Sequence, residues 1–211
     1  MGKVVITGGP GARVEDVFQI FKQCSRETSP VYPVDDSARY VANLGNGNKI
    51  LPYGDFSRFL DAVTDLQLDF EYPADKFAQE IHSKKDAILL NRSLLDLAAW
   101  IHHYNNEFRT DVKLPAKLSS GIERANYILI FMLEIPVGEL WPQPSLWFNA
   151  RNGDGMCYEE VLRATDRLRK TYEGYVASNE FGATIIEIPF LEPKETARRI
   201  GTYLEDWLHP F

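Results

Sequence analysis

Residues 4–16, Val-Val-Ile-Thr-Gly-Gly-Pro-Gly-Ala-Arg-Val-Glu-Asp, place a strand, a glycine-rich turn and a helix in immediate succession. The run Lys3-Val-Val-Ile-Thr7 is short, apolar and rich in β-branched side chains, which suit a pleated strand. Gly8, Gly9, Pro10 and Gly11 break it. Val14, Val17, Phe18 and Phe21 then recur at helical spacing, which predicts a helix over 14–25.

The turn opens like a phosphate-binding loop, G-x-x-x-x-G-K-[ST], and then departs from it. Gly8 begins the motif, and Gly9-Pro10-Gly11-Ala12 fill its spacer. Arg13 stands at the second glycine, Val14 at the lysine and Glu15 at the hydroxyl residue. The lysine of such a loop reaches the β- and γ-phosphates, and the hydroxyl holds magnesium; valine does neither. A helix N-terminus draws anions through its free N–H groups and its dipole. Glu15 and Asp16 place two carboxylates on that same turn, where they oppose a triphosphate. Arg13 offers one cation, from a different position. A plain strand-to-helix turn is the simpler reading of residues 8–13.

The rest of the chain alternates in the same way. Strands are predicted at 31–34, 87–90, 127–132 and 184–188, with helices near 55–66, 74–85, 157–178 and the C-terminus. Leu94, Ala98, Ile101 and His102 mark the helix after the third strand, and Ala197, Ile200, Leu204 and Leu208 mark the closing one. Val161, Leu168, Tyr172 and Tyr175 make the stripe of the 157–178 helix. Strands separated by helices imply a doubly wound parallel α/β sheet, three-layered α/β/α, in a single domain over 1–211. The strand at 3–7 should be central, flanked by those at 87–91 and 127–133. Ligands of such sheets sit beyond the carboxyl ends of the strands, here residues 8–13, 35–39 and 91–96. The loop 41–53 is rich in turn residues, and segment 134–156, with Trp141, Trp147 and Arg151, is a candidate lid.

Composition narrows the function. The net charge of −7 and the absence of a lysine-arginine cluster argue against nucleic-acid binding. No apolar run reaches membrane-spanning length, and Val4-Val5-Ile6 is too short for a signal peptide. Cys24 and Cys157 are far apart and read as reduced thiols of a cytoplasmic protein. The four histidines form no ligand motif, so neither a metal nor another cofactor is expected. Self-association is left open.

Several segments in order resemble the P-loop kinase-like AAA-domain family that includes NadR-type nicotinamide riboside kinase domains. These are Val5-Ile-Thr-Gly-Gly-Pro-Gly-Ala12, Asp36-Ser-Ala-Arg39, Leu89-Leu-Asn-Arg-Ser-Leu-Leu-Asp96, Tyr127 to Glu134, and Glu187-Ile-Pro-Phe-Leu191. The resemblance spans nearly the whole chain and implies a nucleoside or nucleotide kinase-like fold. It implies that Asp36 and Arg39 handle the acceptor, that Arg151 is a lid arginine, and that position 91 carries a carboxylate serving magnesium. That position is Asn91 here, which lacks the anionic charge such a site favours.

The expected site is therefore a pocket lined by Asp36, Arg39, Arg92 and Asp96 as the chemically active groups. Gly8, Gly9, Gly11, Arg13, Asn91 and Arg151 are the ligand-binding ones. Its expected ligand is a small molecule, a nucleoside or nucleotide. One reading is an altered enzyme without ATP–magnesium phosphotransfer that hydrolyses or rearranges its substrate, with Asp36 as general base and Arg39 and Arg92 as anion clamps. The alternatives are a non-catalytic binding protein and a kinase with a non-standard phosphate grip. Each pair also has a plainer reading: Asp36–Arg39 as a surface pair, Arg92–Asp96 as an i,i+4 helix salt bridge, Arg151 as a solvated loop residue. Whether the motif losses are natural or introduced stays open at this stage.

Overall fold

The computed structural model describes residues 2–24, 31–34, 56–80, 87–136, 158–178 and 182–208. Its elements run β1 (Gly2–Gly8), α1 (Val14–Cys24), β2 (Val31–Val34), α2 (Phe56–Glu80), β3 (Ala87–Asn91), α3 (Leu94–Phe108), α4 (Ala116–Arg124), β4 (Tyr127–Leu133), α5 (Tyr158–Ser178), β5 (Thr184–Ile188) and α6 (Pro193–Leu208). The loop 41–53 and residues 137–156 of the expected lid lie outside the described residues.

The five strands form one parallel sheet in the order β2-β3-β1-β4-β5. β1 is central, with Val5 level with Leu90 of β3 on one side and Ile130 of β4 on the other, as the sequence predicts. Alternation along β1 divides the core, because successive side chains face opposite ways. Val4 and Ile6 pack with Phe18 of α1 and with Ala197, Ile200 and Leu204 of α6. Val5 packs with Leu95 and Ala99 of α3 and with Leu168 and Tyr172 of α5. A third cluster joins α2, α3 and α4 through Leu60, Val63, Leu97, Ile101 and Leu118. The result is the expected three-layer α/β/α arrangement.

Two expectations are corrected. The helices predicted at 55–66 and 74–85 are one continuous helix, α2. Its buried stripe is Leu60, Val63, Thr64, Gln67 and Glu71, so polar residues continue an apolar face and hide it from a hydrophobicity pattern. Gln67 and Glu71 are buried with partners. Lys3 Nζ lies 3.0 Å from Glu71 Oε2, the Tyr127 hydroxyl donates to both Glu71 oxygens at 3.1 and 3.0 Å, and Gln67 Nε2 donates to Oε1 at 2.9 Å. A buried carboxylate is tolerable only with its oxygens satisfied in this way. Burial, with the Glu71 charge adding to it, pushes the Tyr127 phenol well above its ordinary value. In α3 the stripe was expected to include His102. His102 is exposed, and His103 is the histidine turned inward.

Candidate functional site

The turn after β1 keeps the backbone of a glycine loop and is packed shut against its neighbours. Ala12 N–H donates to Gly9 O at 3.1 Å, and Val17 N–H donates to Arg13 O at 3.1 Å, which starts α1. A Cβ on Gly8 would lie 2.7 Å from Ala12 Cβ and 2.8 Å from Leu133 O. A Cβ on Gly9 would lie 1.9 Å from Thr165 Oγ1, so α5 rests directly on Gly9. Gly11 takes a positive φ of 85°. Arg13 also has a positive φ, 57°, at the position where the motif places glycine; the left-handed turn survives without the residue that adopts it freely. Its guanidinium is engaged by Asp16 (Nε to Oδ2, 2.9 Å) and Glu192 (Nη1 to Oε2, 3.5 Å). Val14 is buried in the core beside Val17 and Phe18.

The first turn of α1 meets the end of β3 through side chains. Asn91 Nδ2 donates to Glu15 Oε2 at 2.7 Å, and Gln19 Nε2 donates to Glu15 Oε1 at 2.6 Å. Asn91 is 1% exposed, and its Oδ1 has no hydrogen-bond partner among the described residues. By the family resemblance, positions 15 and 91 are the hydroxyl and the carboxylate of a magnesium site. Here a carboxylate and a neutral amide occupy them, and they bond to each other. At these positions Val14 is buried in the core, and Glu15 and Asn91 are joined by a direct side-chain bond.

Arg92 and Asp96 do come together. Arg92 sits at φ 66°. Its N–H donates to Ile6 O at 3.0 Å, and its Nη1 donates to Gly8 O at 3.1 Å and Asp96 Oδ1 at 3.2 Å. Asp96 also accepts from Thr7 Oγ1 (2.6 Å), the Tyr172 hydroxyl (2.6 Å) and Ser93 N–H (2.8 Å). Ser93 caps α3, its Oγ accepting from Leu95 N–H at 3.1 Å and lying 2.8 Å from the Tyr172 hydroxyl. Asp96 thus neutralises Arg92 and closes the capping box of α3. Burial, reinforced by the Asp96 charge, pushes the Tyr172 phenol well above its ordinary value. That phenol is a fixed donor holding the carboxylate.

Of the expected site residues, Gly8, Gly9, Gly11, Arg13, Asn91, Arg92 and Asp96 gather at the carboxyl ends of β1 and β3. Asp36, Arg39 and Arg151 lie outside the described residues. Sequence reasoning missed Thr7, Ser93 and Tyr172. Ser93-Leu-Leu-Asp96 is a readable capping pattern. Thr7 and Tyr172 carry no local signal, because they reach Asp96 from β1 and from α5, distant in the chain. Among the described residues no group of three or more His, Cys, Asp and Glu could hold a metal ion. None of the described helices is long and apolar enough to cross a membrane.

No protein-family model matches the sequence, and no curated protein matches it. Solved structures do. The deoxyadenosine kinase of M. mycoides with bound dATP is similar at a TM-score of 0.50 and 15% identity, over 97% of this chain and 100% of that one. The same kinase with dCMP and a flexible dCDP bound aligns at a TM-score of 0.47 and 13% identity, over 97% of this chain and 99% of that one. The fold is that of the P-loop nucleoside kinases.

Proposed function

We propose that this chain is a protein of P-loop nucleoside kinase fold that binds a nucleoside or nucleotide at the carboxyl edge of its sheet and does not transfer phosphate from ATP–magnesium. The observation that carries this reading is the 2.7 Å bond from Asn91 to Glu15. Phosphoryl transfer works by concentrating positive charge around the γ-phosphate. This edge instead presents Glu15 and Asp16, with the Arg13 cation engaged by Asp16 and Glu192. The kinase of similar fold was solved with dATP, which supports a nucleotide-sized ligand for this chain.

Within that reading the enzyme alternative is a hydrolase or a rearranging enzyme for a small phosphorylated or nucleoside-like substrate. Asp36 would be its general base, and Arg39 and Arg92 would be its anion clamps. The competing reading, a binding protein without chemistry, is favoured by one specific observation: Asp96 is buried and fully engaged by Arg92, Thr7, Tyr172 and Ser93. A carboxylate held by four donors is poorly placed to move a proton.

Isothermal titration separates these from a working kinase. The expected result is no magnesium-dependent binding of ATP, with dATP or an unphosphorylated nucleoside binding equally with and without magnesium. A magnesium-dependent affinity for ATP of about micromolar strength would overturn the proposal. The triple variant R13G/V14K/E15T should gain phosphate affinity, because the left-handed backbone at 11 and 13 is already in place. Substituting Arg39→Ala and Arg92→Ala then tests the pocket. Loss of ligand binding at an unchanged melting temperature assigns those arginines to a site; a lower melting temperature with binding intact makes them structural.

A further inference from the structure

At the α3–α5 interface lies a buried imidazole that the proposed function does not use. His103 is 7% exposed, its Nδ1 has no hydrogen-bond partner among the described residues, and its ring meets Trp100 edge-on at 6.4 Å. The described charges facing it are Glu107 on its own helix and Glu160, Arg163 and Arg167 on α5. Glu107 stands i,i+4 from His103, so the two share a helix face. At neutral pH Glu107 bridges to α5: Arg163 Nε donates to Oε1 at 2.8 Å and Nη2 to Oε2 at 3.1 Å, a two-point grip that fixes orientation as well as attraction.

We propose that Glu107 is exchanged between two partners in a proton-driven switch: protonated His103 draws it onto α3, and Arg163 with the first half of α5 is released. With the imidazole neutral, Glu107 is held in a two-point grip by the Arg163 guanidinium. Protonation creates a second cation on the same face of α3 and sets three cations, His103, Arg163 and Arg167, against two carboxylates, Glu107 and Glu160. Repulsion between the imidazolium and the two arginines then opposes the close approach of α5. Two residues from Arg163 along α5, Thr165 is the side chain that rests on Gly9, so release of this half of the helix uncovers the glycine turn. Burial is the largest influence on the imidazole and lowers its proton affinity; Glu107 acts against it, and Arg167 and Arg163 with it. The switch therefore operates on the acid side of the ordinary histidine range.

Hydrogen exchange followed by mass spectrometry tests this without any ligand. After correction for intrinsic rates, protection over residues 158–168 should fall severalfold, up to about tenfold, between about pH 7.5 and about pH 5.5, while α6 stays unchanged. His103→Phe, which keeps an aromatic ring and removes the proton, should abolish the change. Glu107→Gln should lower protection at both pH values, because the bridge to Arg163 is weakened throughout. The proposal is overturned if protection over 158–168 is the same at both pH values, or if His103→Phe keeps the full pH effect. Should His103→Phe not fold, His103→Gln removes the same proton, and a His103→Gln protein that keeps the full pH effect over 158–168 overturns it equally.

Discussion

Asn91 donates a 2.7 Å hydrogen bond to Glu15, which ties the last residue of β3 to the first turn of α1 across the carboxyl edge of the sheet. The bond orients the Asn91 carboxamide, because only its NH₂ group can face a carboxylate. It also leaves Oδ1 buried without a described partner.

Placing a carboxylate at position 91 should therefore destabilise the protein. Asn91→Asp sets two carboxylates against each other in a buried place. The expected cost is about 3 kcal/mol, in the range for a buried charge without compensation. Adding Glu15→Thr should recover most of that loss, since it removes the repelling charge and supplies a hydroxyl donor. Urea unfolding of the two single variants and the double variant gives the coupling; additive effects would mean that the two side chains do not meet as described.

Arg13 offers a test of stored backbone strain. A non-glycine residue in the left-handed region is disfavoured by about 1–2 kcal/mol. Its exposed ion pair with Asp16 returns about 1 kcal/mol at most. Arg13→Gly should thus be at least as stable as the parent, and more stable than Arg13→Ala by about 1 kcal/mol. If the two variants melt together, the positive φ at 13 is not costing stability.

The contact of α5 with the glycine turn is steric, and a methyl group reports on it. Gly9→Ala places a Cβ 1.9 Å from Thr165 Oγ1 and 2.8 Å from Thr165 Cβ. Overpacking of this kind costs about 1–3 kcal/mol. Thr165→Ala removes the nearer atom and leaves the farther, so it should rescue part of the loss and not all of it. A neutral Gly9→Ala would show that α5 is free to lift from the turn.

Alkaline stability follows from Tyr127 and Tyr172, whose buried phenols are held well above the ordinary value by burial and by Glu71 and Asp96. The unfolded chain loses those protons near about pH 10, so above that pH the native state binds more protons than the unfolded one. Their contribution is complete below about pH 10 and is lost as pH rises from there through the raised native values. Tyr172→Phe should flatten the fall of stability in this range by about one proton's worth of slope. An ultraviolet difference titration in which every tyrosine ionises together before unfolding would contradict this account.

Much of the fold was legible in the residues because it is written as local pattern. Two-sided apolar runs at 87–90 and 127–133 fit interior parallel strands, and the Gly8–Gly11 turn fits a strand-to-helix junction. Where a polar side chain does a core residue's work the pattern misled. Gln67 and Glu71 interrupt the apolar stripe of α2: Gln67 bonds Glu71, and the other partners of Glu71, Lys3 and Tyr127, come from β1 and β4. His102 and His103 are adjacent and chemically identical, and only the packing of α5 on α3 decides which one turns inward.

The sequence by itself determined that positions 14, 15 and 91 are valine, glutamate and asparagine, since identity at a position needs no coordinates. It also determined the parallel α/β architecture, since period and punctuation are one-dimensional. Only the tertiary structure decided what is built there: a side-chain bond between Glu15 and Asn91, an arginine held in a glycine conformation, and an Asp96 saturated by donors from β1, α3 and α5. Those relations span up to 89 residues of chain. Hydrogen bonding and burial depend on distance in space, so no window on the sequence contains them.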